Sequence, residues 1–87
     1  MISALGMLEA IAANPGRPAG YAFQHTSRRE IYGCYGQLMM AGLVEGGLYA
    51  TFITSRGQRI LREGQIEAAP DWKGPWVTRS TLRDWRP

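Results

Sequence analysis

The sequence contains very few of the residues that build disulfides and metal sites. Among its 87 residues there is one cysteine, Cys34, and one histidine, His25. A lone cysteine excludes an internal disulfide, and one Cys with one His cannot supply the ligands of a zinc site. We therefore expect no metal and no cofactor. The scarcity of cysteine also favours a reducing, cytoplasmic environment.

Long apolar runs are missing as well. No stretch of about 18 apolar residues occurs, and no charged segment followed by an apolar one opens the chain, so the sequence predicts neither a membrane-spanning helix nor a signal peptide. A chain of 87 residues is expected to form one small core, because so short a chain buries only about 60–65% of its unfolded surface.

Patterns typical of catalysis are also absent. The seven acidic residues are scattered, without a close pair that apolar residues flank. The single lysine, Lys73, is far from the glycine pair Gly46-Gly47, so the sequence has no phosphate-binding loop of the Gly-Lys-Ser/Thr type. We expect a protein that is not an enzyme.

Arginine, by contrast, is abundant: nine arginines and one lysine give a net charge of +3 and a pI near 9.5. The guanidinium group offers a planar fork of donors that suits phosphate, carboxylate or guanine. The bias indicates an anionic partner, although a genome that favours arginine codons would produce the same composition.

The first half of the chain shows two helical patterns. Apolar residues recur at helical spacing over residues 3–13, and Asn14-Pro15-Gly16 should end that helix. Residues 17–25 are predicted to form a loop with one short helical turn, because a proline and a glycine oppose a longer helix. Residues 27–30 (SRRE) have the form of a capping box, so a second helix is predicted over residues 27–42, with Cys34 on its buried side as a small hydrophobe.

The second half begins with a hairpin pattern. Gly46-Gly47 is the predicted tip between two short strands, and Thr54 or Ser55 should cap a third helix that ends at Gly64. Beyond it, prolines and all three tryptophans indicate an irregular tail over residues 65–87, with a last short helix starting near Thr78 or Ser80. The predicted organisation is thus a domain over residues 1–64 and a tail that is docked on it or binds a partner.

Two segments resemble the winged helix-turn-helix regulators of bacteria and phages. Residues 38–44 (LMMAGLV) look like the end of that family's recognition helix where it enters the wing. Residues 53–61 (ITSRGQRIL) look like the join between the wing and the next helix. The resemblance covers residues 3–64. It implies a mostly α, α+β winged-helix fold with a short two-stranded wing, and sequence-specific binding of double-stranded DNA by a homodimeric transcriptional regulator.

The resemblance makes helix 27–42 the recognition helix, with its exposed side facing the major groove. There arginine can pair with guanine and glutamine with adenine, and a glycine permits close approach. Arginines after the wing would hold phosphates. Alternatively, the two arginines form a solvated helix end, and Gly33 and Gly36 let another helix or a second subunit pack closely. In the same way, the arginines after the wing would form only a solvated row. The candidate DNA-binding residues are Arg28, Arg29, Tyr32, Gly36, Gln37, Arg56 and Arg59.

A second function is a protein-binding module on the same scaffold, for instance a phage-type inhibitor or adaptor of a host protein. It would grip its partner with the glycine, tyrosine and methionine face of helix 27–42 or with the tryptophan tail. A wing without lysine or arginine, carrying Glu45, favours it, as do the modest net charge and the aromatic tail. Large amphipathic rings seldom stay exposed, so Trp72, Trp76 and Trp85 are expected to dock on the core, form a dimer contact or bind a partner.

Overall fold

The computed structural model describes residues 2–86 and shows an α+β domain in which, over that range, four helices surround two small antiparallel hairpins. The α+β class predicted from the sequence is confirmed. In chain order the elements are α1 (Ala4–Ala13), α2 (Arg28–Met40), β1 (Val44–Gly47), β2 (Ala50–Ile53), α3 (Ser55–Glu63), β3 (Gln65–Glu67), β4 (Trp76–Thr78) and α4 (Arg79–Asp84).

Every one of these helices begins at a hydroxyl side chain that accepts a backbone N–H of the first turn. The capping residues are Ser3, Ser27, Thr54 and Thr78. Each such cap is worth about 1 kcal/mol, and the caps predicted at Ser27, Thr54 and Thr78 are confirmed. At Ser27 the capping box is only partly formed, because the Glu30 carboxylate accepts from the Ser27 hydroxyl at 3.3 Å.

Between α1 and α2 the chain forms successive turns. The N–H groups of Tyr21 and Phe23 donate to the carbonyl oxygens of Pro18 and Gly20, three residues earlier. The predicted loop with a short turn is therefore confirmed, and residues 14–27 contain no α-helix.

This linker is bonded to the hairpin of β1 and β2. Gly16 N–H donates to the Thr51 carbonyl at 3.0 Å, and Ala19 N–H donates to the Leu48 carbonyl at 2.8 Å. The linker thus lies alongside β2 and the hairpin turn and is joined to both by backbone hydrogen bonds.

The hairpin tip differs from the prediction. Gly47 pairs with Ala50, so the turn consists of Leu48 and Tyr49 instead of Gly46-Gly47. Leu48 packs against the core and accepts the bond from the linker, and these tertiary contacts move the tip two residues along the chain. Gly46, at φ +85°, instead passes so close to the Ala50 carbonyl that a Cβ would collide with it.

The predicted last short helix of the C-terminal segment is confirmed as α4, but the prediction of an irregular chain before it is wrong. Residues 65–84 form a second antiparallel hairpin, β3 with β4, and then α4. The apolar residues at their centres, Ile66, Val77 and Leu82, are at most 1% exposed and belong to the same core as α1. The Ala4 N–H also donates to the Trp85 carbonyl at 3.4 Å, so α4 closes on the start of α1.

Candidate functional site

Helix α2 lies at the surface with one side buried and the other open. Cys34 and Leu38 are completely buried, whereas Tyr32 is 45% exposed. An added Cβ at Gly36 would meet no described atom within 4 Å. The predicted division into a core side and an outer side is therefore correct, and Gly36 does not serve packing within residues 2–86.

The first turn of α2 presents two exposed arginines, Arg28 and Arg29. Within the described part of the chain, both salt bridges lie on α3, where Arg59 and Arg62 share Glu63. The guanidinium groups of Arg28 and Arg29 therefore have no carboxylate partner among residues 2–86.

The hairpin tip lies beside this turn. The Tyr35 hydroxyl donates to the Gly46 carbonyl at 3.3 Å and ties α2 to β1. A groove of about 160 Å³ is lined by Arg28 and Tyr32 from α2 and by Tyr49 from the tip. Tyr49 is 75% exposed, so the structure brings two of the candidate residues together with a tyrosine that the sequence did not single out.

Gln37 lies on a different flank of α2. It is nine residues after Arg28, which places the two side chains about 180° apart around the helix. Gln37 is half-buried and lines a pocket of about 420 Å³ together with Trp72 and Trp85. The structure does not bring it together with Arg28 and Tyr32.

Arg56 is half-buried and hydrogen-bonded to two other parts of the fold. Its guanidinium group donates to the Ala41 carbonyl at 3.3 Å and to the Glu67 carbonyl at 2.7 Å. A positive charge at the carbonyl end of α2 also complements the helix dipole. The phosphate contact predicted for Arg56 would require these bonds to break.

Arg59 is exposed but already paired, with its Nε 3.4 Å from the Glu63 carboxylate one helical turn later. This geometry matches the solvated arginine row that the sequence left open as an alternative. Exposed pairs of this kind contribute about 0.3–0.5 kcal/mol, so Arg59 could still exchange its partner for a phosphate.

The tryptophans have two different environments. Trp72 and Trp85 are half-buried and pack against the core, whereas Trp76 is 49% exposed. Docking, the first of the three predicted roles, describes Trp72 and Trp85, whereas Trp76 leaves about half of its surface exposed.

Cys34 has no chemical role at this site. Burial, together with the nearby Glu30 carboxylate, raises the pKa of its thiol to about 11. Because the thiolate is the reactive form of cysteine, this side chain acts as a small hydrophobe, and its thiol donates weakly to the Ile2 carbonyl.

Sequence reasoning placed Met40, which is 51% exposed, on the outer side of α2. It missed Met39, which is 41% exposed, and Phe52 on β2, which is 46% exposed. Placing the hairpin tip correctly would have found Tyr49, but nothing in the local sequence indicates that Phe52 points outward.

Compared with protein-family models, curated proteins and solved structures, the chain shows no significant match. Within residues 2–86, no helix has the length and apolar character needed to cross a membrane.

Proposed function

We propose that the protein binds double-stranded DNA as a small winged-helix transcriptional regulator, with α2 in the major groove and the β1–β2 hairpin as its wing. The observation that carries the proposal is the open side of α2, which starts with two unpaired arginines and is not covered by the rest of the described chain. The element order α1, linker on β2, α2, hairpin and α3 supports it.

The chemistry of α2 suits base recognition. Recognition helices contact base edges with their N-terminal residues, and Arg28 and Arg29 occupy the first two positions of α2. Arginine pairs bidentately with the O6 and N7 atoms of guanine. Tyr32 follows one turn later on the same side, and the bare backbone at Gly36 allows the helix to approach the groove closely.

The wing would contribute few charges. No lysine or arginine lies between Gly42 and Ser55, so the hairpin would reach phosphates through the Tyr49 hydroxyl and backbone N–H groups. With Arg28, Arg29 and Arg59 as the three cationic side chains that meet the DNA, the log–log salt slope should be near −3.

A homodimer fits this mechanism. Two half-sites of a helix-turn-helix operator lie about 34 Å apart, and the longest dimension of the chain is 33 Å. A single copy places one α2 on the DNA, so two copies are needed to read two half-sites.

Three arginine variants test the proposal by fluorescence anisotropy on duplex DNA. Arg28→Ala and Arg29→Ala should each weaken binding to a selected duplex about 5- to 100-fold, which corresponds to about 1–3 kcal/mol. Arg62→Ala removes the same charge from α3 and should change binding less than about 3-fold. Equal losses in all three variants would mean attraction by net charge alone and would contradict base recognition.

A second candidate function is protein binding through the same surface, and the exposed apolar residues favour it. Tyr32 and Tyr49 expose 45% and 75% of their surfaces beside Arg28. Met40, farther along α2 on the Gln37 flank, exposes 51%. Aromatic residues and methionine are enriched in protein interfaces. Binding of a protein partner would be weakened most by Tyr32→Ala and Tyr49→Ala, whereas binding of DNA would be weakened most by Arg28→Ala.

A further inference from the structure

The pocket on the Gln37 flank of α2 has the features of a small-molecule site. It measures about 420 Å³ and lies between α2, the loop that joins β3 to β4, and α4. Pockets for small ligands typically have about 300–1,000 Å³ and combine apolar walls with a few polar groups. The proposed DNA-binding surface uses neither this pocket nor the loop.

The walls of the pocket are aromatic. Trp72 from the loop and Trp85 after α4 both line it and both pack on the core. Half-buried indoles held in this way offer flat, preorganised surfaces that stack on another ring. The methionine Met40 also lines the pocket, and its flexible thioether adapts to an aromatic neighbour.

The charged residues at the rim have opposite signs. Asp71 and Lys73 flank Trp72 in the chain, line the pocket and are exposed. Neither forms a salt bridge with another of the residues 2–86. A carboxylate and an ammonium two residues apart complement a ligand that carries one amine and one carboxylate.

We propose that this pocket binds a small zwitterionic aromatic compound of the amino-acid type. The ring lies against Trp72 and Trp85, the ligand carboxylate faces Lys73 and the ligand amine faces Asp71. The Gln37 amide, half-buried on α2, is available as a hydrogen-bond donor or acceptor to the bound compound.

The position of the pocket also suggests what the ligand regulates. Gln37 and Met40 belong to α2, so an occupied pocket changes the surroundings of the helix that carries Arg28 and Arg29. This regulatory role rests on the proposed DNA binding, whereas the ligand site itself does not.

Three probes with the same phenyl ring test the site: L-phenylalanine with both charges, hydrocinnamate with only the carboxylate, and phenethylamine with only the amine. The full chain, labelled with ¹⁵N, is titrated while NMR follows the three indole N–H signals. L-phenylalanine should shift the signals of Trp72 and Trp85 but not of Trp76, with a dissociation constant on the order of 1 mM. Each single-charge probe should bind about 2- to 5-fold more weakly, because exposed ion pairs are weak.

Charge variants at the rim separate the two contacts without disturbing the core. Lys73→Ala should reduce the affinity for L-phenylalanine to that for phenethylamine and leave the affinity for phenethylamine unaltered. Asp71→Ala should reduce the affinity for L-phenylalanine to that for hydrocinnamate and leave the affinity for hydrocinnamate unaltered. Lys73→Arg should retain binding. Equal affinity for all three probes, an equal shift of Trp76, or no shift at about 10 mM probe would overturn the proposal.

The regulatory role has its own readout. If the chain binds DNA, L-phenylalanine should change the affinity of the wild type for duplex DNA, and Lys73→Ala should reduce that effect. An unaltered affinity would overturn the coupling. If the chain binds no DNA, the proposed function fails, and the indole shifts still test whether the pocket binds the ligand.

Discussion

The guanidinium group of Arg56, at the start of α3, donates to the carbonyl oxygen of Glu67 on β3 at 2.7 Å. The same group reaches the Ala41 carbonyl at the end of α2. One side chain therefore joins the end of the proposed recognition helix to the C-terminal hairpin, and it connects the two parts of the chain that the sequence separated at residue 64.

Replacing Arg56 by Ala should lower the free energy of unfolding by about 1–3 kcal/mol, because two hydrogen bonds from a charged group are lost. Urea denaturation measures this loss. Arg62→Ala, in a side chain that is 68% exposed, is the matched control and should change stability by less than about 0.5 kcal/mol. If Arg56→Ala leaves stability unaltered but abolishes DNA binding, Arg56 contacts phosphate after all.

Removing residues 65–87 should unfold the protein. The deletion takes away Ile66, Val77 and Leu82, all of them at most 1% exposed, and each buried aliphatic side chain contributes about 1.5–3 kcal/mol. Circular dichroism should show the loss of helix, and Ile66→Ala in the full chain should cost about 2–5 kcal/mol. Its neighbour Glu67 is exposed, so Glu67→Ala serves as the control. A truncated chain that stays folded and melts cooperatively would show that the second hairpin is dispensable.

Two adjacent glycines in the wing should respond differently to alanine. At Gly46 the φ of +85° and the close Ala50 carbonyl oppose a side chain, whereas an added Cβ at Gly47 meets nothing within 4 Å. Gly46→Ala should therefore destabilise the protein by about 1–3 kcal/mol, and Gly47→Ala by less than about 1 kcal/mol. Thermal unfolding compares the two, and equal melting temperatures would contradict the observed turn at Leu48-Tyr49.

The buried thiol of Cys34 predicts a loss of stability at high pH. Its pKa rises from an ordinary 9.0 to about 11 in the folded chain, so the folded state keeps its proton where the unfolded state has lost it. The contribution of the protonated, buried thiol to the free energy of unfolding is fully present below pH 9 and is lost as the pH rises to about 11. Cys34→Ala should flatten this part of the pH profile of stability. An unaltered slope in the variant would assign the effect to another group.

The sequence was sufficient for the features that depend on local chemistry. Hydroxyl residues at Ser27, Thr54 and Thr78 located three helix starts, and helical spacing identified Cys34 and Leu38 as buried. These features need only a few adjacent residues, which is why they could be found without the fold.

The features that were missed depend on contacts between distant segments. The wing tip moves to Leu48 because the linker bonds it, and the Arg56 side chain is held by hydrogen bonds to carbonyl groups 11 and 15 residues away. The strands β3 and β4 have three residues each, too few for an alternating pattern to stand out among prolines and tryptophans. Of the proposed interface, the sequence therefore predicted the open side of α2 but not Tyr49 at the tip.

A salt titration of duplex DNA binding by the wild type and by the double variant Arg28→Ala, Arg29→Ala tests DNA binding by α2 most directly. The wild type should bind at about 50 mM salt with a log–log slope near −3, and the double variant should bind far more weakly with a slope that is smaller by up to about 2. No measurable binding of the wild type at that salt concentration, or the same affinity and slope in both proteins, would contradict it.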